Sequence, residues 1–120
     1  MSAEIISFVD GIVTVKIAGL FTYPEQLALQ TATINLVSEE TKLSVLTLFE
    51  NFEGWSHDEG WGDVSFQEKS DSLVNKMAVV GEEKWRDLIL MSLGDGFRSF
   101  PIAYFRPSEL DNARIWLLVE

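Results

Sequence analysis

The sequence predicts a single α/β domain over residues 1–120. Strands and helices should alternate around a mostly parallel sheet of about five strands, with an N-terminal β-hairpin and four helices. Three observations lead there. Apolar runs of strand length, such as Leu43-Ser44-Val45-Leu46-Thr47-Leu48-Phe49, alternate with stretches whose apolar residues recur at helical spacing. The dipeptide Asp10-Gly11 sits between two β-rich runs, and it tolerates the positive φ of a tight hairpin turn. The chain has 120 residues, of which 47% are hydrophobic, and it lacks cysteine, so one core can form without disulfide staples.

The elements follow in order. Ile5 to Val9 and Ile12 to Ala18 read as the two antiparallel strands of the hairpin. Thr22 and Glu25 then stand three residues apart, the spacing of a capping box, with Pro24 in the first turn where a missing N–H costs nothing. A helix is expected from Tyr23 to about Val37. The run from Leu43 to Phe49 is the third strand, and residues 50–63 read as a long loop. From about Asp63 to Asn75, Phe66, Ser70, Leu73 and Val74 share one face of an amphipathic helix. Lys76 to Gly81 reads as a buried strand. Glu82-Glu83-Lys84-Trp85 opens a helix with acids in its first turn, and Trp85, Leu88, Ile89 and Leu93 are expected on its inner face. Phe97 to Phe105 is the last strand. Pro101 cannot donate to a ladder, so that strand should lie at an edge or carry a bulge. Pro107-Ser108-Glu109 starts a final helix with the stripe Leu110, Ala113, Trp116, Leu117.

Net charge is -10. Such a field repels phosphate backbones and excludes nucleic-acid binding as a leading function. Acidity of this kind serves solubility, or a basic protein partner. The first residues lack the basic and apolar regions of a signal peptide, and no apolar run reaches the ~20 residues of a membrane span. A cytoplasmic location is expected.

Two stretches carry a family resemblance. Lys76-Met77-Ala78-Val79-Val80-Gly81-Glu82-Glu83-Lys84-Trp85 resembles the core signature of the SpoIIAA-like family, in which a strand ending in Val-Gly precedes a helix with an early Trp. Ala103-Tyr104-Phe105 followed by Ser108-Glu109-Leu110-Asp111-Asn112-Ala113-Arg114-Ile115-Trp116-Leu117 is similar to its closing strand and helix. Gly54-Trp55 after the third strand also resembles the family. The resemblance implies a βα superhelix and kinship with STAS domains, which bind proteins, and CRAL-TRIO domains, which bind lipids. It implies no enzyme activity and no cofactor. Regulatory STAS proteins carry a phosphorylated Ser in an Asp-Ser pair just after the third strand. Here that stretch reads Glu50-Asn51-Phe52-Glu53-Gly54-Trp55-Ser56, without the pair, and Asp71-Ser72 falls inside the next expected helix. A regulator of this type would act without a clear phosphoacceptor serine.

The candidate site centres on the loop after the third strand, because open α/β sheets bind ligands at the carboxyl ends of their strands. Phe49, Trp55, Trp61 and Phe66 are the candidate packing surface for a small apolar ligand or lipid, with Ser56 and His57 as polar handles. Trp55 and Trp61 either form a lid over the ligand or pin the loop to the core. His57 beside Asp58 and Glu59 offers too few ligand types for a zinc site, and Ser56 lies in no nucleophile elbow. No metal and no catalytic residue is assigned. The favoured reading is a non-catalytic binding or regulatory module that takes either a protein partner or a small apolar ligand near this loop. Its alternatives are a STAS-like regulator docking on a protein through the same face, and a hydrolase built on the His57 loop. A homodimer is compatible with an exposed edge strand.

Overall fold

The computed structural model describes residues 3–9, 11–34, 43–55, 74–93 and 100–119. Strand β1 (Ala3–Val9) turns at Gly11, φ 77°, into β2 (Ile12–Phe21), and the two pair antiparallel as the Asp-Gly signal requires. Helix α1 (Tyr23–Ile34) begins with the expected capping box. The Thr22 N–H donates to Glu25 Oε1 at 3.1 Å, and the Glu25 N–H donates back to Thr22 Oγ1 at 3.4 Å. The expected last turn of this helix, to Val37, lies outside the described residues.

Strand β3 (Leu43–Trp55) runs parallel to β2, β4 (Val74–Val80) parallel to β3, and β5 (Ile102–Phe105) parallel to β4, in the spatial order β1-β2-β3-β4-β5. A single 3-10 turn, Glu83–Trp85, leads into α2 (Arg86–Leu93), and another, Pro107–Glu109, leads into α3 (Leu110–Leu118). Strands that march one way through a sheet with right-handed crossovers put those crossovers on one side. Leu29 of α1 and Ile89 of α2 accordingly pack on one face, against Val13, Val15, Val45 and Val79. The helix α3 follows the last strand, crosses nothing, and covers the other face with Ala113 and Leu117 against Leu46, Ala78 and Val80. The centre of the sheet is therefore sealed on both sides: Leu46 and Val79 are each 0% exposed.

Four expectations change. The stretch from Glu50 to Trp55 is strand, not loop, because two bulges carry the ladder onward. Val74 and Asn75 begin β4 instead of ending a helix, and three α-helices are found among the described residues; the rest of the expected helix over 63–75 lies outside them. Leu88 faces solvent at 48% exposure, so the inner face of α2 is narrower than its apolar count suggests. The last strand is four residues long, and Pro101 stands just before it. The edge position of that strand agrees with the proline. Pro101 still serves the ladder as an acceptor, its carbonyl taking the Met77 N–H at 3.0 Å.

The carboxyl end of α3 is held from the sheet. Lys76 of β4 donates from Nζ to the carbonyls of Trp116, at 2.9 Å, and Val119, with its ammonium 4.9 Å from the centre of the Trp116 ring. A cation is favoured at this end of a helix, where carbonyls lack partners.

Candidate ligand-binding site

The carboxyl half of β3 reads Phe49-Glu50-Asn51-Phe52-Glu53-Gly54-Trp55, an aromatic–Glu–(Asn or Gly) unit twice over and then a third aromatic. A regular strand would throw residues three apart onto opposite faces. Here the backbone is reset in each unit: Asn51 has φ 50° and Gly54 φ 108°. The register with β2 slips at the same places, with Ala18 opposite Glu50, Gly19 opposite Phe52 and Leu20 opposite Gly54. Each slip leaves one extra residue on β3, which is the definition of a bulge. Phe49, Phe52 and Trp55 are thereby brought to one side of the sheet.

There they meet Trp85 edge to face. Ring centres stand 4.8 Å apart for Phe49–Phe52, 5.0 Å for Phe52–Trp55, 4.9 Å for Phe52–Trp85 and 6.2 Å for Trp55–Trp85. These are the favoured geometries of aromatic pairs, positive ring edges against negative faces. Trp55, half-buried, packs at the edge of this cluster. Among the described residues the Trp85 Nε1 is the one buried side-chain donor without an acceptor.

On the opposite face, where α3 lies, a cleft of about 360 Å³ opens at the carboxyl end of β4, beside the middle of β3. Leu48, Val80 and Leu110 give it apolar lining, and the exposed Glu50, Asn51 and Glu82 line it as well. Phe49 contributes just past the last β3–β4 pair, Leu48 with Val80, and Pro107 comes from the turn before α3. Glu50 pairs with Lys16 at 3.2 Å and Glu82 with Lys84 at 3.7 Å, all four side chains substantially exposed.

The turn between β4 and α2 is clamped beside this cleft. The Tyr104 hydroxyl of β5 donates to the Glu82 carbonyl at 2.8 Å. Gly81 lies beneath that hydroxyl so closely that a Cβ on it would stand 2.6 Å from the oxygen and 3.3 Å from the Phe49 Cβ. Burial pushes the Tyr104 phenol up to about 12; the charges of Glu82 and then Glu83 add to the rise, and Arg86 opposes it. At the other wall Glu109 caps the turn into α3, accepting the Arg106 N–H at 3.0 Å, and that hydrogen bond chiefly holds its carboxyl below the usual value.

Of the six residues singled out in the sequence, Phe49 lines the cleft and Trp55 does not. Trp55 packs on the other face of the sheet. Ser56, His57, Trp61 and Phe66 lie outside the described residues, and with them the other half of the expected lid. The sequence reading did not find Val80, Glu82, Pro107 and Leu110. They come from segments far apart in the chain, and only the parallel register of β3, β4 and β5 brings them together. The three-residue repeat of β3 was the local signal for the aromatic cluster. Among the described residues no group of three or more His, Cys, Asp or Glu is arranged to hold a metal ion, and no helix is long and apolar enough to cross a membrane.

Comparison with known proteins agrees with this architecture. The family model described as SpoIIAA-like matches residues 12–118. The chain belongs to the SpoIIAA-like family. A similar solved structure is that of an uncharacterised protein from Shewanella loihica PV-4 with a SpoIIAA-like fold. It superposes with a TM-score of 0.70 at 16% identity, over 96% of this SpoIIAA-like chain and 91% of its own. That likeness establishes the shared fold. No curated protein matches the chain.

Proposed function

We propose that this SpoIIAA-like chain is a non-catalytic binding module whose seat is the cleft between β3, the carboxyl end of β4 and α3. The carrying observation is the cleft itself. It is about 360 Å³, within the range of small-molecule sites, lined by Leu48, Val80 and Leu110, and opens beside the carboxyl end of β4 where α3 meets the sheet. Among the described residues its lining offers carboxylates and an amide but no serine, threonine, cysteine or histidine, which favours binding over nucleophilic chemistry. The ligand class is a small molecule with an aliphatic body.

The test is titration of the isotope-labelled protein with hexanol, followed by NMR. Shifts concentrated at Leu48, Val80 and Leu110, and their loss in Leu110→Trp, are expected. Uniform small shifts across the chain would sink the reading.

A second reading, a regulator docking on a protein, is favoured by a different surface. Ile115, Leu118 and Val119 stand about 60% exposed along the outer side of α3 and just beyond its end, an apolar stripe of the kind partners cover.

A further inference from the structure

The cleft has a charge pattern as well as a shape. Among the described residues that line it, two, Glu50 and Glu82, are acidic and none is basic. The cations nearby are already engaged on the surface: Lys16 with Glu50 at 3.2 Å, Lys84 with Glu82 at 3.7 Å, and Arg106 with Glu109 at 3.4 Å. Exposed pairs of this kind are weak, so an incoming cation can replace Lys16 or Lys84 at little cost. A ligand carboxylate would instead face two like charges and have to compete with them for Lys16 and Lys84. The remainder of the molecule acts in the same direction, since a net charge of -10 concentrates small cations at its surface.

We infer that the cleft takes a small aliphatic ammonium: its hydrocarbon body against Leu48, Val80 and Leu110, and its cationic head between the carboxylates of Glu50 and Glu82. This rests on the proposal that the cleft is a binding seat, and it adds the sign of the ligand's charge. An open cleft with carboxylates on exposed lining positions suits this amphipathic form, because the head can remain partly hydrated while the chain is buried.

The experiment uses three probes of equal chain length, hexylammonium, hexanol and hexanoate, titrated into the whole protein near pH 7, where the first is cationic and the last anionic. Binding is read from the NMR shifts of Val80 and Leu110. Hexylammonium is expected to bind roughly tenfold or more tighter than hexanoate, with hexanol between them. Glu82→Gln and Glu50→Gln should each shrink that preference several-fold. Glu4→Gln, on the far edge strand β1, should leave it unchanged. Equal binding of the three probes, a preference for hexanoate, or an equal effect of Glu4→Gln would overturn the charge selection while leaving the seat in place. No response of Val80 and Leu110 to any probe would overturn both. A pentalysine peptide that outcompetes hexylammonium would place a basic protein segment there and overturn the small-molecule assignment.

Discussion

At the scale of single residues, the contact between Gly81 and Tyr104 shows how tightly the cleft's neighbour turn is built. The hydroxyl needs the space a side chain at position 81 would fill, and it repays that space with a hydrogen bond to Glu82. Gly81→Ala is therefore expected to cost about 1–3 kcal/mol, the range of an overpacked site. The clash is with one oxygen and one methylene, so Tyr104→Phe in the same chain should recover part of the loss. A double-mutant cycle by urea denaturation measures this, and strict additivity would refute the clamp. The same phenol makes stability depend on pH. Its value rises from about 10 in the unfolded chain to about 12 in the folded one. Below about pH 10 both states hold the proton and the stabilisation is complete. As pH climbs toward about 12 only the unfolded state releases it, so stability falls across that interval. The slope should be shallow, because Tyr104 is partly solvated. Denaturation midpoints of the native chain and Tyr104→Phe, compared from pH 9 upward, should separate the tyrosine's share from that of other alkaline titrations.

At the scale of elements, β3 is the instructive case. Its first seven residues were legible because a strand covered on both faces is a continuous apolar run. Its last six were not, because Asn and Gly are turn formers, and a turn reads the same as a bulge until the partner strand is known. The hairpin was legible for the converse reason: Asp10-Gly11 contains its whole explanation in two residues. The candidate site divides along the same line. Phe49 could be picked out locally, as an aromatic at a strand's carboxyl end. Val80 and Leu110 could not, since nothing in either segment says that they meet. The reading of β3 as doubly bulged makes a prediction of its own. Asn51 at φ 50° is a position that a β-branched residue fills only with strain. Asn51→Val should cost about 1–2 kcal/mol, whereas Asn51→Gly should be close to neutral. The near-ultraviolet circular dichroism of the Phe49–Phe52–Trp55–Trp85 cluster should weaken in the valine variant alone. If Val is tolerated as well as Gly, the backbone at 51 is not held in the left-handed region.

At the scale of the molecule, one sheet is shared by two helical layers. The layer of α1 and α2 is the consequence of crossover handedness, and α3 covers the face those crossovers leave. Neither layer has a core of its own, because each is completed by alternate residues of the same strands, such as Val45 on one face and Leu46 on the other. Losing either layer strips one side of every central strand, so the two should unfold together. Ile89→Ala on one face and Leu117→Ala on the other should each cost roughly 2–5 kcal/mol, as buried large-to-small changes do. With the sheet between them their effects should add. The tryptophans supply separate reporters, since Trp85 packs with the first face and Trp116 with the second. Fluorine NMR of fluorotryptophan-labelled protein through a urea titration should show both resonances lost at one midpoint, in the native chain and in each variant. A Trp116 transition at lower urea than that of Trp85 would mean that α3 detaches on its own. The apolar lining that Leu110 gives the cleft would then be conditional on a local equilibrium, and ligand binding would have to stabilise α3 selectively. A common midpoint instead makes the cleft as stable as the fold that forms it.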